Sequence, residues 1–367
     1  MSNVSSKTPE YLRPYFDEQT QIHYYNECKK HVTMIREIDD RFICLKRLSS
    51  STPMVNSAAF DTFAMGGGLY FRFNGIGIVV DPGIGFVSMM HKYGIFITDI
   101  DVVIVTHAHI DHNCDVSALS ALLHDYNRSI SKYNDFYSKN FRCNESEEHC
   151  IEWYLDKVTL NNTQDILSKS HVHRIDECVD DDGIITIGEV DVQLRLIHTV
   201  HIKNSEDTYG IKLSFGIGAE TVVWGYTSDT SFFEGLNEFF RDCDGLILNI
   251  SDIYVKDIEQ KEFKRSHLGF SGCEELIKSV NPRVAIISEF CCTNGDYRHE
   301  FVRALRSRIE DSKTIIIPGD VGLSISIDTT RIECSLCKSD VSAELIKVIR
   351  PKYEFDRIEF VCPQCLL

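Results

Sequence analysis

No stretch of this 367-residue chain reaches the roughly 18 apolar residues that a membrane-spanning helix needs. Its first residues, MSNVSSKTPEYLRPYF, lack the apolar run of a secretion signal. These absences predict a cytoplasmic protein with no membrane partner. Positive charge is also scarce, with 38 Lys and Arg against 55 Asp and Glu and a net charge of −17. That disfavours non-specific adhesion to nucleic acid or anionic lipid, while leaving room for a local basic groove. Internal repeats and low-complexity linkers are missing. Without a secretion signal, most of the 14 cysteines are expected to be reduced core thiols.

What is present is globular: 43% hydrophobic and 25% charged residues, in a length that suits two domains or one large α/β domain with an appendage. Residues 1–40 read as a polar helical segment. Strand-like segments follow at 41–48, 68–73, 76–80 and 101–105, the third short, apolar and β-branched and ending in the turn Asp81-Pro82-Gly83. A helix is predicted from Val116, and the polar stretch to about 183 reads as a helical insertion. Strand patterns return at 184–187, 190–197, 209–215, 221–226, 246–250, 284–288, 314–317 and 323–327. Helices are predicted near 232–240, 272–280 and 297–311. Strand groups with helices between them predict packed sheets covered by helices.

The run VVIVTHAHIDHNCD, residues 102–115, crowds metal-capable side chains at the end of a buried strand. Alternate residues His107 and His109 can face one metal, and the following turn presents Asp111 and His112 to a second. Imidazole nitrogen and carboxylate oxygen suit a divalent ion held by a rigid strand. Two such ions about 3.5–4 Å apart can share a bridging hydroxide, the bound water's pKa falling to about 7.

THAHIDH resembles the signature of the metallo-β-lactamase-fold hydrolases, and the resemblance spans about residues 42–328. It implies an αββα sandwich. Asp81 matches the aspartate that orients a ligand loop. In LRLIHTVHIKNSEDTYGIKL the next ligand is His198 or His201; the T-x-H spacing before a short polar loop favours His201. Asp229 in GYTSDTSF matches the metal-bridging carboxylate. SHLGFSGCEELIKSVNPRVAIISEF is similar to the closing region of the ribonuclease Z-like branch, with His267 at the leaving-group position. Glu289 stands where that branch has a ligating histidine. Its harder oxygen would tilt the site from zinc towards manganese or magnesium; the alternative makes His267 the ligand and Glu289 its supporter. The resemblance thus implies two catalytic metals. His107, His109, His201 and Asp229 hold one, while Asp111, His112, Asp229 and Glu289 hold the other. Asp111 steers the hydroxide's proton and His267 serves the leaving oxygen.

Cys334, Cys337, Cys362 and Cys365 form two C-x-x-C knuckles that read as a structural tetrathiolate zinc site, although the spacer, residues 338–361, is a little longer than the usual range of about 15–20. Residues 331–367 therefore read as a zinc ribbon attached to a hydrolase domain at 41–330. Six Lys and Arg balance six Asp and Glu in the ribbon, so it is a poor phosphate binder and suits packing or dimerisation. A homodimer could use it or the insertion.

The expected activity is a dinuclear phosphodiesterase or nuclease acting on RNA, DNA or a cyclic nucleotide. The alternatives are an ester, thioester or lactone hydrolase on the same metals, or a non-catalytic metal-stabilised binding module. The interval from His201 to Asp229 is too short for the long arm with which bacterial ribonuclease Z grips transfer RNA. Other signals carry less weight: the glycines of Met65–Gly68, the pair His171 and His173, Cys143, His149 and Cys150, and Cys291 and Cys292. Arg298, Arg303, Arg306 and Arg308 read as a solvated helix face.

Overall fold

The computed structural model describes residues 39–49, 67–132, 148–167, 171–180, 183–187, 192–201, 208–217, 220–251, 253–261, 263, 266–292, 295–309, 312–350 and 356–366. The expected N-terminal helical segment lies outside these residues, apart from Asp39 and Asp40. Among them, no helix is long and apolar enough to cross a membrane.

The first half supplies β1 (Arg41–Cys44), β2 (Leu69–Phe73), β3 (Ile76–Val80), β4 (Val102–Val105), β5 (Glu152–Leu155) and β6 (Val172–Arg174). The second half supplies β7 (Ile184–Thr186), β8 (Val192–His198), β9 (Tyr209–Ile217), β10 (Glu220–Tyr226), β11 (Gly245–Ser251), β12 (Val284–Phe290) and β13 (Ile315–Pro318). Then follow β14 (Ser324–Ser326), β15 (Arg331–Glu333), β16 (Asp340–Ser342), β17 (Lys347–Ile349) and β18 (Glu359–Val361). One sheet runs β16-β15-β14-β1-β2-β3-β4-β5-β6, the other β13-β12-β11-β10-β9-β8-β7, and β17 pairs with β18.

Two expectations need correction. The stretch 116–183, expected as a helical insertion, is not wholly helical among its described residues. It begins with the helix Val116–Lys132, but β5 and β6 then continue the first sheet parallel to β4. Tertiary pairing overrides the weak local pattern there, because β4 offers an open edge of unpaired backbone groups. Nor does the sheet stop at 330, since β15 and β16 extend it into the ribbon.

Alternation decides the layers. Val284 and Ile286 of β12 face the core between the sheets, whereas Ala285 and Ile287 face a second core under the helices Gly269–Val280 and Arg298–Arg308. Between the sheets, Phe42 and Phe71 of one sheet meet Trp224 of the other at 5.0 and 5.7 Å between centroids. Each such ring buries about 150–250 Å², roughly 4–6 kcal/mol before conformational entropy is subtracted. The indole Nε1 donates to the Ile327 carbonyl at 2.8 Å, leaving no orphaned donor.

The ribbon is joined to the sandwich through buried charge. Asp320 accepts from Arg47 Nε at 2.6 Å, Arg298 at 2.8 Å and the Ile358 amide at 2.6 Å. Arg298 also grips Asp296 and the Asp356 carbonyl. Arg298 is therefore fully buried, not part of a solvated helix face; Arg303 is exposed, as expected. Removing one member of such a cluster strands the others without solvent. Asp320→Ala should lower the unfolding free energy by about 3–5 kcal/mol, measured by urea denaturation, whereas Arg303→Ala should change it by less than about 0.5 kcal/mol.

Candidate active site

Parallel pairing places the ends of β3 and β4 at one edge of the first sheet, and those of β10, β11 and β12 at one edge of the second. The Tyr209 amide donates to the Thr106 carbonyl at 3.2 Å, tying the sheets together there. Every predicted ligand sits at or just beyond a strand end or a helix start on this side. Asp81, Ser228 and Glu289 adopt left-handed φ angles of 52°, 51° and 59°. Non-glycine residues do so at a cost, and such strain gathers where side chains must be aimed. Gly83 lacks a Cβ for a different reason: one would stand 1.9 Å from the Asp111 carbonyl oxygen.

Asp81 organises the loop after β4. One oxygen accepts from the Thr106 amide at 2.7 Å. The other accepts from Thr106 Oγ1 at 2.7 Å, Tyr226 OH at 2.9 Å and His112 Nδ1 at 2.7 Å. With Nδ1 engaged, His112 turns a buried Nε2 without a hydrogen-bond partner towards Asp111, Asp229 and Glu289, at 3.8, 3.6 and 3.6 Å. Asn249 Nδ2 donates to Tyr226 OH and to Asp229 Oδ1, both at 3.0 Å. Asp229 Oδ2 is left facing the imidazoles of His107, His201, His112 and His267 at 3.8, 3.6, 3.6 and 3.3 Å.

The donor atoms fall into two groups, each within 4.8 Å: His107, His109, His201 and Asp229, then Asp111, His112 and Glu289. Two ligands about 2.1 Å from one ion stand roughly 3–3.5 Å apart, close to the 3.1 and 3.2 Å separating His109 Nδ1 from the Nε2 atoms of His107 and His201. Position separates the two histidines offered for the next ligand. His201 joins the first group, its Nδ1 bonded to the Ser266 carbonyl at 2.7 Å, while His198 is exposed and packs on Tyr209. His267 lies outside both groups, part-exposed, before the helix Gly269–Val280.

The electrostatics suit a cation. Burial and neighbouring His112 hold His107 well below its usual value, and burial lowers His201, so both offer neutral nitrogen. Burial alone would raise Asp229, but His112 and His267 hold it well below the usual carboxylate range. Burial and Lys46 oppose a proton on His112, yet Asp81, Asp111 and Asp229 raise it to about 9. A field that favours a proton there also favours a divalent ion.

The four cysteines also converge. Cys337 and Cys362 Sγ are 3.7 Å apart, near the roughly 3.8 Å edge of a tetrahedron with 2.3 Å zinc–sulfur bonds. Burial would raise the Cys334 thiol, but the backbone amides of Cys337, Cys362 and Leu336 bring it down to about 6, favouring the ligating thiolate.

Sequence reasoning missed Thr106, Tyr226, Ser228, Asn249 and Lys46. Thr106 and Ser228 directly flank ligands; Asn249 and Lys46 have no local cue. Of the signals given less weight, His171 and His173 do find a carboxylate, each bonding Glu152 at 2.7 Å, partly exposed and remote in sequence from the ligands. His149 bonds the Ile100 carbonyl, Cys291 and Cys292 are buried, and Cys143 lies outside the described residues. Gly67 and Gly68 make room for neighbouring backbone.

Supporting residues of this kind typically contribute 10–100-fold to metal affinity. Asp81→Asn puts an amide where an acceptor is needed and should weaken metal binding by about that factor. Metal retained after dialysis against a graded chelator series would measure it, with circular dichroism to confirm the fold.

No curated protein is matched by the sequence. Among solved structures, the metallo-beta-lactamase fold protein YhfI from Bacillus subtilis superposes with a TM-score of 0.57 at 16% identity, covering 77% of this chain and 98% of that one. A diphosphatase from the PhnP family gives 0.52 at 13% identity, covering 78% and 96%. The short form of human tRNase Z gives 0.50 at 13%, covering 78% and 99%. At such identities the likeness speaks for the fold. The family model described as the beta-lactamase superfamily domain matches residues 77–288, from β3 into β12, and the chain belongs to that family of metallo-β-lactamase-fold proteins.

Proposed function

We propose that this protein is a dinuclear metal-dependent phosphodiesterase acting on a nucleotide or nucleic acid. The observation that carries the reading is the arrangement around Asp229. One carboxylate oxygen faces both donor groups, and His267 approaches it from the more open side. Buried atoms such as His112 Nε2 and Glu289 Oε2, without hydrogen-bond partners, fit a metal better than a closed polar core.

Divalent metals bound there would acidify water and neutralise charge on the oxygens of the reacting group. The rest falls to the chain's own residues. Asn249 pins one oxygen of Asp229 so that the other faces the reaction centre. Asp111 accepts the proton of the attacking water. His267, oriented by Ser266 Oγ at 3.1 Å from its Nδ1, donates towards the leaving oxygen. A leaving alkoxide needs this help, and a positioned acid supplies about 10²–10⁴-fold.

Two solved structures with this fold are, by name, a diphosphatase and a tRNase, which supports a phosphoester substrate. The surroundings lean towards a small one. Ile110 and Val200, directly beside ligands, are exposed apolar side chains, suited to a base or other flat apolar group, and the chain is strongly acidic. Hydrolysis of an ester, thioester or lactone on the same residues is the second reading. The cysteine cluster is assigned a structural zinc.

Bis-p-nitrophenyl phosphate with zinc, then manganese, tests the proposal. Turnover should be metal-dependent. His267→Ala should lose about 10²–10⁴-fold in kcat with metal content unchanged, and Asp229→Ala should lose both metal and turnover. A fully metal-loaded protein without turnover on any phosphodiester would overturn the reading in favour of carboxylic esters.

A further inference from the structure

The second donor group contains a resident cation. Lys46 is 1% exposed. Its ammonium pairs with Glu289 Oε1 and donates to the Asp111 carbonyl oxygen at 3.0 Å, placing it against two of the three members of that group. The backbone holds it there. Leu48 bridges to Phe290, the Ser49 amide bonds the Phe290 carbonyl at 3.2 Å, and Arg47 is tied to Asp320. On the other side, Gly67 is so close that a Cβ would meet the Leu45 carbonyl oxygen at 2.0 Å and Lys46 Cα at 2.9 Å. Among the described residues, no lysine or arginine pairs with His107, His109, His201 or Asp229.

A buried glutamate needs a countercharge, and Lys46 provides it. A divalent ion entering the second group must share or displace that partner, and once bound it sits near a fixed positive charge. Like charges a few Å apart in a buried site weaken cation binding by at least about tenfold. The first group, three imidazoles and a carboxylate, carries no such penalty.

Building on the two-metal reading, we propose that Lys46 makes the two positions unequal. The first binds metal tightly. The second is held half-closed by the ammonium, so the protein with one metal is a stable form and the second metal is taken up only at higher concentration. Lys46 is a tuning residue and not a ligand.

Manganese titration of the full chain, with the cysteine cluster zinc-loaded and free Mn(II) followed by electron paramagnetic resonance, tests this without reference to turnover. The wild type should bind in two steps, the second at least tenfold weaker. Lys46→Met should tighten the second step at least tenfold and move the first by less than threefold, while Lys46→Arg should keep the gap. Should the methionine variant misfold, Lys46→Gln carries the same expectation. Two equal steps in the wild type, or a folded neutral variant whose second step is unchanged or weaker, would overturn the proposal alone. Uptake of only one Mn(II) per chain in every protein would overturn the two-metal reading as well.

Discussion

The carboxylate of Asp81 accepts four hydrogen bonds, and much of the site is placed relative to it. Two come from Thr106, fixing the start of the ligand loop after β4. One comes from His112, setting which ring nitrogen faces the metal position. The fourth comes from Tyr226, at the end of β10 in the opposite sheet. Through Tyr226 and Asn249 the same network reaches Asp229. A single buried charge thus couples both sheets to both donor groups. It is tolerable because each of its oxygens is satisfied; a half-satisfied carboxylate in this position would destabilise the sandwich.

The sandwich exists to make that coupling rigid. Parallel strands bring several chain ends to one edge, and the aromatic core between the sheets fixes their separation. Side chains on loops alone would not hold so many donor atoms 3–4 Å apart. Here the strand ends hold them, with left-handed φ angles at Asp81, Ser228 and Glu289 aiming the side chains. The cysteine cluster belongs to the same construction, because β15 and β16 continue the first sheet and Asp320 receives the Ile358 amide together with Arg47 and Arg298.

The donor groups differ in chemistry as well as place. One is mostly neutral nitrogen. The other is carboxylate-rich and contains a lysine. Glutamate at position 289 and lysine at position 46 form a buried pair: in the proposed second metal position the carboxylate would bring harder oxygen, and the ammonium balances its charge.

Much of this was legible from the residues alone. HAHIDH and the C-x-x-C pairs announce themselves because their chemistry is local: ligands must leave a strand end at short spacing, and knuckles must close on themselves. Asp81 and Asp229 could be picked out only through the family resemblance, since an aspartate in a turn is otherwise an ordinary cap. The strands from 184 onwards could be read from their short apolar runs. Tertiary structure decided what depends on contacts distant in sequence. Glu152–Leu155 and Val172–Arg174 became strands because β4 had an edge to fill. Arg298 went inside because Asp320 awaited it. His201 was separated from His198, Glu289 was grouped with His112, and Lys46 was brought to Glu289 across 243 residues. Local sequence encodes which atoms can bind. Only packing, which places charges where water cannot screen them, determines which atoms meet.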